Sequence, residues 1–190
     1  MRSRLANTTF KVNFTLDEQD VAYFRRLFKQ ARSAAKRKSP DEVIAGAREL
    51  VVSVSRDRKA PRFVQEAVLA LEDLADMIED TAYRAPKVVV SQILGALAYF
   101  AEPEDLIPDH VPVLGFLDDA IMIKFVEREF KHELAAYRRF KRFREGAEQR
   151  PWTAVAKERL PQRLEEKRKA LRAEVDRKKK ADEEKGRAGF

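Results

Sequence analysis

The sequence predicts an all-α fold: a compact domain of about six helices, a short N-terminal extended arm and a basic C-terminal segment that is helical or disordered. The composition is the first reason, since 37% of the 190 residues are charged, 44% are hydrophobic and only 6 are glycine. Such a balance is typical of helices with charged outer faces. The second reason is that apolar residues recur at intervals of three and four along most of the chain.

Residues 9–16 form the one segment with a different pattern. Their apolar side chains occupy alternate positions, namely Phe10, Val12, Phe14 and Leu16. A period of two predicts a short strand, yet the sequence has no second alternating run for it to pair with. We therefore expect residues 1–16 to lie as an extended arm on the helices or to pair between two copies as a homodimer.

The helices follow this arm in order. The first is expected to begin near Asp17 and to run to about Lys38. Ser39 then provides a cap, with proline next and Glu42 three residues later, which predicts the start of the second helix. Apolar spacing predicts a third helix over residues 63–78 and a fourth over 88–100, which we expect to be central because its apolar surface is wide.

A loop rich in proline and acidic residues follows the fourth helix, and a further apolar pattern runs from Ile121 to Phe140. Residues 91–130 are therefore predicted to form a helical hairpin at the centre of a domain that spans 17–146. Gly146 and Pro151 are expected to end the last helix of this domain. Residues 147–190 form a basic tail with few apolar residues, so we expect it to bury little.

The net charge of +7 is concentrated at the C-terminal end. Residues 130–190 hold 20 basic and 11 acidic residues, whereas residues 1–129 hold 19 and 21. There are no cysteines, which excludes disulfides and thiolate chemistry. The longest charge-free apolar run, residues 88–101, is too short to span a bilayer, and no secretory signal is recognisable. We expect a cytoplasmic protein without a transmembrane segment.

Four aspartates are candidates for a metal site around the proline-rich loop: Asp105, Asp109, Asp118 and Asp119. Carboxylate oxygens bind hard cations such as Mg²⁺, Mn²⁺ or Ca²⁺, and a metal-dependent hydrolase needs two or three of them. The calcium-loop spacing is missing, however, and each aspartate can instead cap a helix or close a turn. We favour capping and no cofactor, and keep a metal site and an acidic partner-binding corner as alternatives.

Basic residues form two clusters that are candidates for binding nucleic acid. They are Arg138, Arg139, Lys141, Arg142 and Arg144, followed by Arg177, Lys178, Lys179 and Lys180. The first cluster is interleaved with aromatic residues, as in surfaces where cations meet phosphates and rings stack on bases. The alternatives are a solvated helix end and contact with an anionic membrane surface.

Catalytic motifs are scarce. The chain has two histidines, His110 and His132, and neither a Gly-x-Ser-x-Gly elbow nor a glycine-rich phosphate loop. The sequence therefore favours a protein that is not an enzyme.

The proline-rich loop carries the clearest resemblance to a known family. The residues concerned are Ala98-Tyr99-Phe100, Pro103, Asp105-Leu106-Ile107-Pro108-Asp109, Pro112, Gly115 and Asp118-Asp119. Their spacing resembles the signature of the YkvA-like family, a bacterial domain of unknown function, over residues 91–130. The resemblance implies a compact helical domain and no established reaction. Some relatives look membrane-associated through a more apolar second helix, but charges interrupt that helix here.

Taken with the charge pattern, this resemblance leads us to expect a non-enzymatic interaction or scaffold module. Its protein partner is not identified by the sequence. The alternatives are a nucleic-acid or ribosome-associated binder that uses the basic C-terminal region, and a divalent-metal enzyme that uses the acidic loop.

Overall fold

The computed structural model describes residues 15, 17–34, 38–57, 60–101, 116–149 and 154–188. Seven α-helices lie within these ranges: α1 (Glu18–Ala34), α2 (Pro40–Arg56), α3 (Arg62–Glu79), α4 (Lys87–Leu97), α5 (Leu117–Glu129), α6 (Lys131–Glu148) and α7 (Ala154–Ala188). A short 3-10 helix, Ala98–Ala101, extends α4. No strand occurs in the described ranges, which confirms the all-α class. The predicted strand lies outside them except for Thr15, which is exposed and has no regular structure.

The start of α2 confirms the predicted capping box. The Ser39 hydroxyl accepts a hydrogen bond from the Glu42 backbone N–H at 3.3 Å, and Glu42 Oε2 accepts one from the Ser39 N–H at 2.6 Å. Pro40 occupies the first helical position, where a missing N–H costs nothing. The backbone hydrogen bond from Ser39 holds the pKa of Glu42 below its usual range.

Helix α3 is the centre of the fold, because it packs against α2, α4, α5 and α6. Eight of its residues are buried: Val64, Ala67, Val68, Ala70, Leu71, Leu74, Ala75 and Met77. The helical hairpin at residues 91–130 stays a prediction, because residues 102–115 lie outside the described ranges. Within those ranges, α4 and α5 make little contact with each other. Both pack instead on α3, whose apolar face is wide enough to receive them.

Helix α2 approaches the 3-10 helix unusually closely at Gly46. A Cβ atom built on Gly46 would lie 2.6 Å from the Ala101 Cβ and 2.7 Å from its Cα. The Lys38 ammonium also donates a hydrogen bond to the Ala101 carbonyl. Only glycine leaves enough room for the two backbones to pack at this distance.

The apolar pattern from Ile121 to Phe140 was predicted as continuous, but the structure divides it between α5 and α6. Phe130 lies at the junction with φ −100° and ψ 18° and is buried. The break lets the chain turn while the Phe130 ring stays in the core. Gly146 lies inside α6, so it does not end that helix as expected.

Helix α7 packs along α6 and buries Leu171 and Val175 in the common core. The expectation that this segment buries little was therefore wrong for these two residues. They lie one helical turn apart, so a sparse apolar pattern still provides a docking stripe. The division of the chain at residues 16 and 146 stays a prediction. Within the described ranges, none of the helices combines the length and apolarity that crossing a bilayer requires.

Candidate functional site

An open apolar groove lies between α3 and α5, beside the start of α1, and we call it the α5 groove. Its volume is about 490 Å³. Its described lining residues are Thr15, Val21, Phe63, Ala67, Leu117, Ala120, Ile121, Lys124, Phe125 and Arg128. Helix α5 supplies six of these ten residues, so the groove follows the length of that helix.

The helical repeat explains why one face of α5 lines the groove. Leu117, Ile121 and Phe125 are spaced by four and form one stripe, and all three are partly exposed. Ala120 and Ala67 are buried, at 4% and 1% exposed, in the floor between α5 and α3. Because both side chains are a single methyl group, the crossing of the two helices leaves space above them. Phe63 stands at the edge and is 46% exposed.

Two cations lie beside the apolar stripe, towards the C-terminal end of α5. Lys124 and Arg128 are spaced by four and both are exposed. The Lys124 Nζ lies 2.7 Å from Glu127 Oε2 in a solvent-exposed pair. The described lining contains no carboxylate, so the groove combines apolar walls with positive charge at one end.

The start of α5 differs from the predicted capping arrangement. Phe116 occupies the cap position with φ 68°, a left-handed conformation that is rare for a residue other than glycine. Asp118 and Asp119 do not occupy the cap position. They lie in the first turn of α5 and are buried, where the positive end of the helix dipole favours a carboxylate.

The predicted metal site cannot be assembled from these two aspartates alone. Asp105, Asp109 and His110 lie outside the described residues. Among the residues that the structure describes, no group of three or more histidines, aspartates and glutamates is placed to hold a metal ion. A metal site at the four aspartates stays a prediction.

Basic residues of α6 that were candidates for nucleic-acid binding face the acidic side of α3. The ion pairs are Arg138–Asp73 at 2.6 Å, Lys141–Asp73 at 3.3 Å, Lys141–Asp76 at 3.1 Å and Arg144–Asp80 at 2.8 Å. The pKa values of Lys141 and Arg144 are raised, because these carboxylates outweigh the effect of burial. Arg139 pairs with Glu174 of α7 at 2.5 Å, and Arg142 is exposed.

This α3–α6 contact was missed by the sequence analysis, although the spacing of its acids contained a signal. Asp73, Asp76 and Asp80 are spaced by three and four, which places them on one side of α3 and its C-terminal end. The Tyr137 hydroxyl donates to Asp80 Oδ2 at 3.3 Å. Burial, with the nearby carboxylates, raises the pKa of the Tyr137 phenol well above its usual range.

The second basic cluster, on α7, is divided between internal pairs and solvent. Lys178 pairs with Glu174 at 2.7 Å and Lys179 with Glu133 at 2.7 Å, whereas Arg177 and Lys180 are exposed. The Lys179 pair therefore links α7 to α6, whereas the Lys178 pair lies within α7. Its use as a nucleic-acid site stays a prediction.

Glu133 is the other residue that the sequence analysis missed. It lies in the first turn of α6 and is fully buried, and Lys179 and Arg172 of α7 both reach its carboxylate. The Tyr83 ring is also buried nearby, and burial followed by the Glu133 charge raises its pKa to about 12. A glutamate in the first turn of a helix is favoured by the helix dipole and is normally exposed to solvent. The sequence pattern around Glu133 therefore gave no signal that this residue is buried.

Among known protein families, one matches part of this all-α protein. The profile of a family described as "Protein of unknown function (DUF1232)" matches residues 89–125. That segment is less than half of the chain, and it includes the α5 wall of the groove from Leu117 to Phe125. Neither the curated proteins nor the solved structures gave a match. The family match therefore supports a segment of unknown function and names no activity.

Proposed function

We propose that this protein is a non-enzymatic interaction module and that it binds an apolar group in the α5 groove. The observation that carries the proposal is the groove itself, an open concave site with seven apolar side chains among its ten described lining residues. Its volume of about 490 Å³ lies in the range of small-molecule and peptide-anchor sites. The part of the α5 wall from Leu117 to Phe125 lies within the segment that matches the family profile, and Arg128 lies beyond it.

The residues in the groove suit binding better than catalysis. Its described lining has no carboxylate, histidine or cysteine, and Thr15 contributes its one hydroxyl. General acid–base catalysis needs a pair of proton-transfer groups within hydrogen-bond distance of the substrate. The buried carboxylates Asp118, Asp119 and Glu133 do not line the groove.

The ion pairs of α6 also lead us to prefer the groove over a nucleic-acid surface. A phosphate that approaches Arg138, Lys141 or Arg144 must compete with carboxylates at 2.6 to 3.3 Å. Less counterion is released from cations that are already paired, so their contribution to nucleic-acid affinity is reduced. The charge pattern therefore favours the α5 groove over the α6 cations as the binding site, because Arg128 is exposed beside the apolar surface of the groove.

Titration with the neutral fluorescent dye N-phenylnaphthylamine tests this proposal. We expect saturable one-to-one binding, and we expect Ile121→Glu to weaken it by about tenfold or more because a carboxylate would be placed in an apolar site. Leu69→Glu is the matched control, since Leu69 is an exposed apolar residue of α3 that does not line the groove. Circular dichroism checks that both variants fold. No dye binding to the wild-type protein, or equal loss in both variants, would contradict the proposal.

A further inference from the structure

We propose that the ligand of the α5 groove is an amphiphile with one alkyl chain and a carboxylate head group, that is, a fatty acid. This inference rests on the proposed function, because it names the chemistry of the ligand at the same site. The alkyl chain lies along the α5 stripe and the carboxylate meets Lys124 and Arg128.

The shape of the apolar surface favours an extended chain. Leu117, Ile121 and Phe125 follow one another along α5 and span about 12 Å at the helical rise of 1.5 Å per residue. The methyl groups of Ala67 and Ala120 form a narrow floor beneath this stripe. The stripe therefore accommodates methylene groups in sequence along its length.

The position of charge favours an anionic head group at one end of that chain. Lys124 and Arg128 lie beside Phe125, the last member of the stripe, and the described lining itself contains no carboxylate. An arginine can bind a carboxylate with two parallel hydrogen bonds. The exposed pair between Lys124 and Glu127 stabilises the protein little, so an incoming carboxylate can compete for the ammonium group.

Charge also distinguishes this ligand from the other occupants of an apolar groove. Residues 1–14 precede the groove residue Thr15 and hold apolar side chains, but their charged residues are Arg2, Arg4 and Lys11, with no acid. Like charges at the groove end disfavour that segment. A second copy of the chain carries the same net charge of +7, so long-range repulsion opposes it as well.

Displacement of N-phenylnaphthylamine by three chains of equal length tests the inference. The competitors are dodecanoate, dodecanol and dodecyltrimethylammonium, each below its micelle-forming concentration. We expect dodecanoate to displace the dye at about one tenth of the concentration that the other two require, and we expect this preference to shrink as salt screens the charges.

Variants of the two cations then test the head-group contact. Lys124→Gln with Arg128→Gln should remove the preference for dodecanoate over dodecanol, when each competitor is compared with the dye affinity of the same variant. Arg62→Gln is the control, because Arg62 is an exposed cation of α3 that does not line the groove. Retention of the full preference in the double variant would overturn the inference.

The remaining outcomes separate this inference from the proposed function. If the dye binds and the three competitors displace it equally, the apolar site stands and the fatty-acid ligand is wrong. If the wild-type protein binds no dye but full-length Phe14→Ser does, the occupant is the N-terminal segment. If Ile121→Glu converts a dimer into a monomer in sedimentation, the occupant is a second copy. Either of the last two results overturns the fatty-acid ligand.

Discussion

The carboxylate of Glu133 on α6 and the guanidinium of Arg172 on α7 form an ion pair inside the fold. Arg172 Nη1 lies 2.8 Å from Oε2 and 3.1 Å from Oε1 of the glutamate, whose side chain is 0% exposed. Lys179 adds a second cation at 2.7 Å. A buried charge is costly unless it is paired, so the docking of α7 determines whether Glu133 can be buried at all.

We expect Glu133→Ala to lower the free energy of unfolding by about 2 kcal/mol, because it removes a buried carboxylate whose charged contacts with Arg172 and Lys179 join α6 to α7. Urea denaturation measures the change. Asp176→Ala is the matched control, since Asp176 binds the same Arg172 at 2.8 Å but its side chain is 63% exposed. Its loss should cost less than about 1 kcal/mol. Equal effects of the two substitutions would show that burial of Glu133 adds no stability.

Substitution of Gly46 tests the close packing between α2 and the 3-10 helix, and substitution of Gly146 in α6 is the matched control. Gly46→Ala should destabilise the protein by about 1 to 3 kcal/mol, because the new methyl group would meet the Cβ and the backbone of Ala101. Gly146→Ala should instead stabilise it by about 0.5 to 1 kcal/mol, because alanine favours a helix, and among the described residues no atom beyond the adjoining stretch of α6 lies within 4 Å of the new methyl group. Thermal unfolding of both variants gives the two signs. Stabilisation by Gly46→Ala would mean that the helices can separate at little cost.

The contact of α7 with α6 should weaken in acid. Hydrogen bonds from Lys131 and then His132 lower the pKa of Asp182 to about 2, and hydrogen bonds from Lys178 and then Arg139 lower that of Glu174 to about 2. Both values lie below the ordinary 3.8 and 4.5 of these carboxyls. Their contribution to stability is therefore present above about pH 5 and is lost as the pH falls towards 2.

Thermal midpoints measured between pH 2 and pH 6 check this pH dependence. Asp182→Asn with Glu174→Gln should flatten the acid side of the profile, because neither amide titrates. Glu183→Gln, a change at an exposed carboxylate of the same helix, serves as the control and should leave the profile as in the wild type. A double variant with an unchanged profile would contradict the assignment.

A structural role and a metal-binding role of the α5 aspartates lead to different expected results. We expect Asp118→Ala to lower the thermal midpoint, because this side chain is buried in the first turn of α5. We also expect Mg²⁺, Mn²⁺ and Ca²⁺ to leave the midpoint of the wild type unchanged. A metal ion bound to the native state would raise the midpoint with its concentration. A rise that disappears in Asp109→Ala and Asp118→Ala would instead establish a metal site.

The local features of this protein could be predicted from the sequence because they depend on neighbouring residues. The all-α class follows from apolar spacing, and the start of α2 follows from Ser39, Pro40 and Glu42, which satisfy the first backbone N–H groups within one turn. The stripe of Leu117, Ile121 and Phe125 is likewise a consequence of helical spacing. None of these features requires a contact with a distant part of the chain.

Tertiary structure decided which helix is central, where the groove lies and which charges are buried. Apolar spacing marks a face on every helix, but it does not determine which faces meet. In the described residues, α4 and α5 both pack on α3. The α5 groove depends on Ala67 of α3 and Ala120 of α5, which are far apart in sequence and both line it. Glu133 is buried because cations from residues 172 and 179 reach it. The free energy of a charge depends on its partners in space, and only the folded chain brings these together.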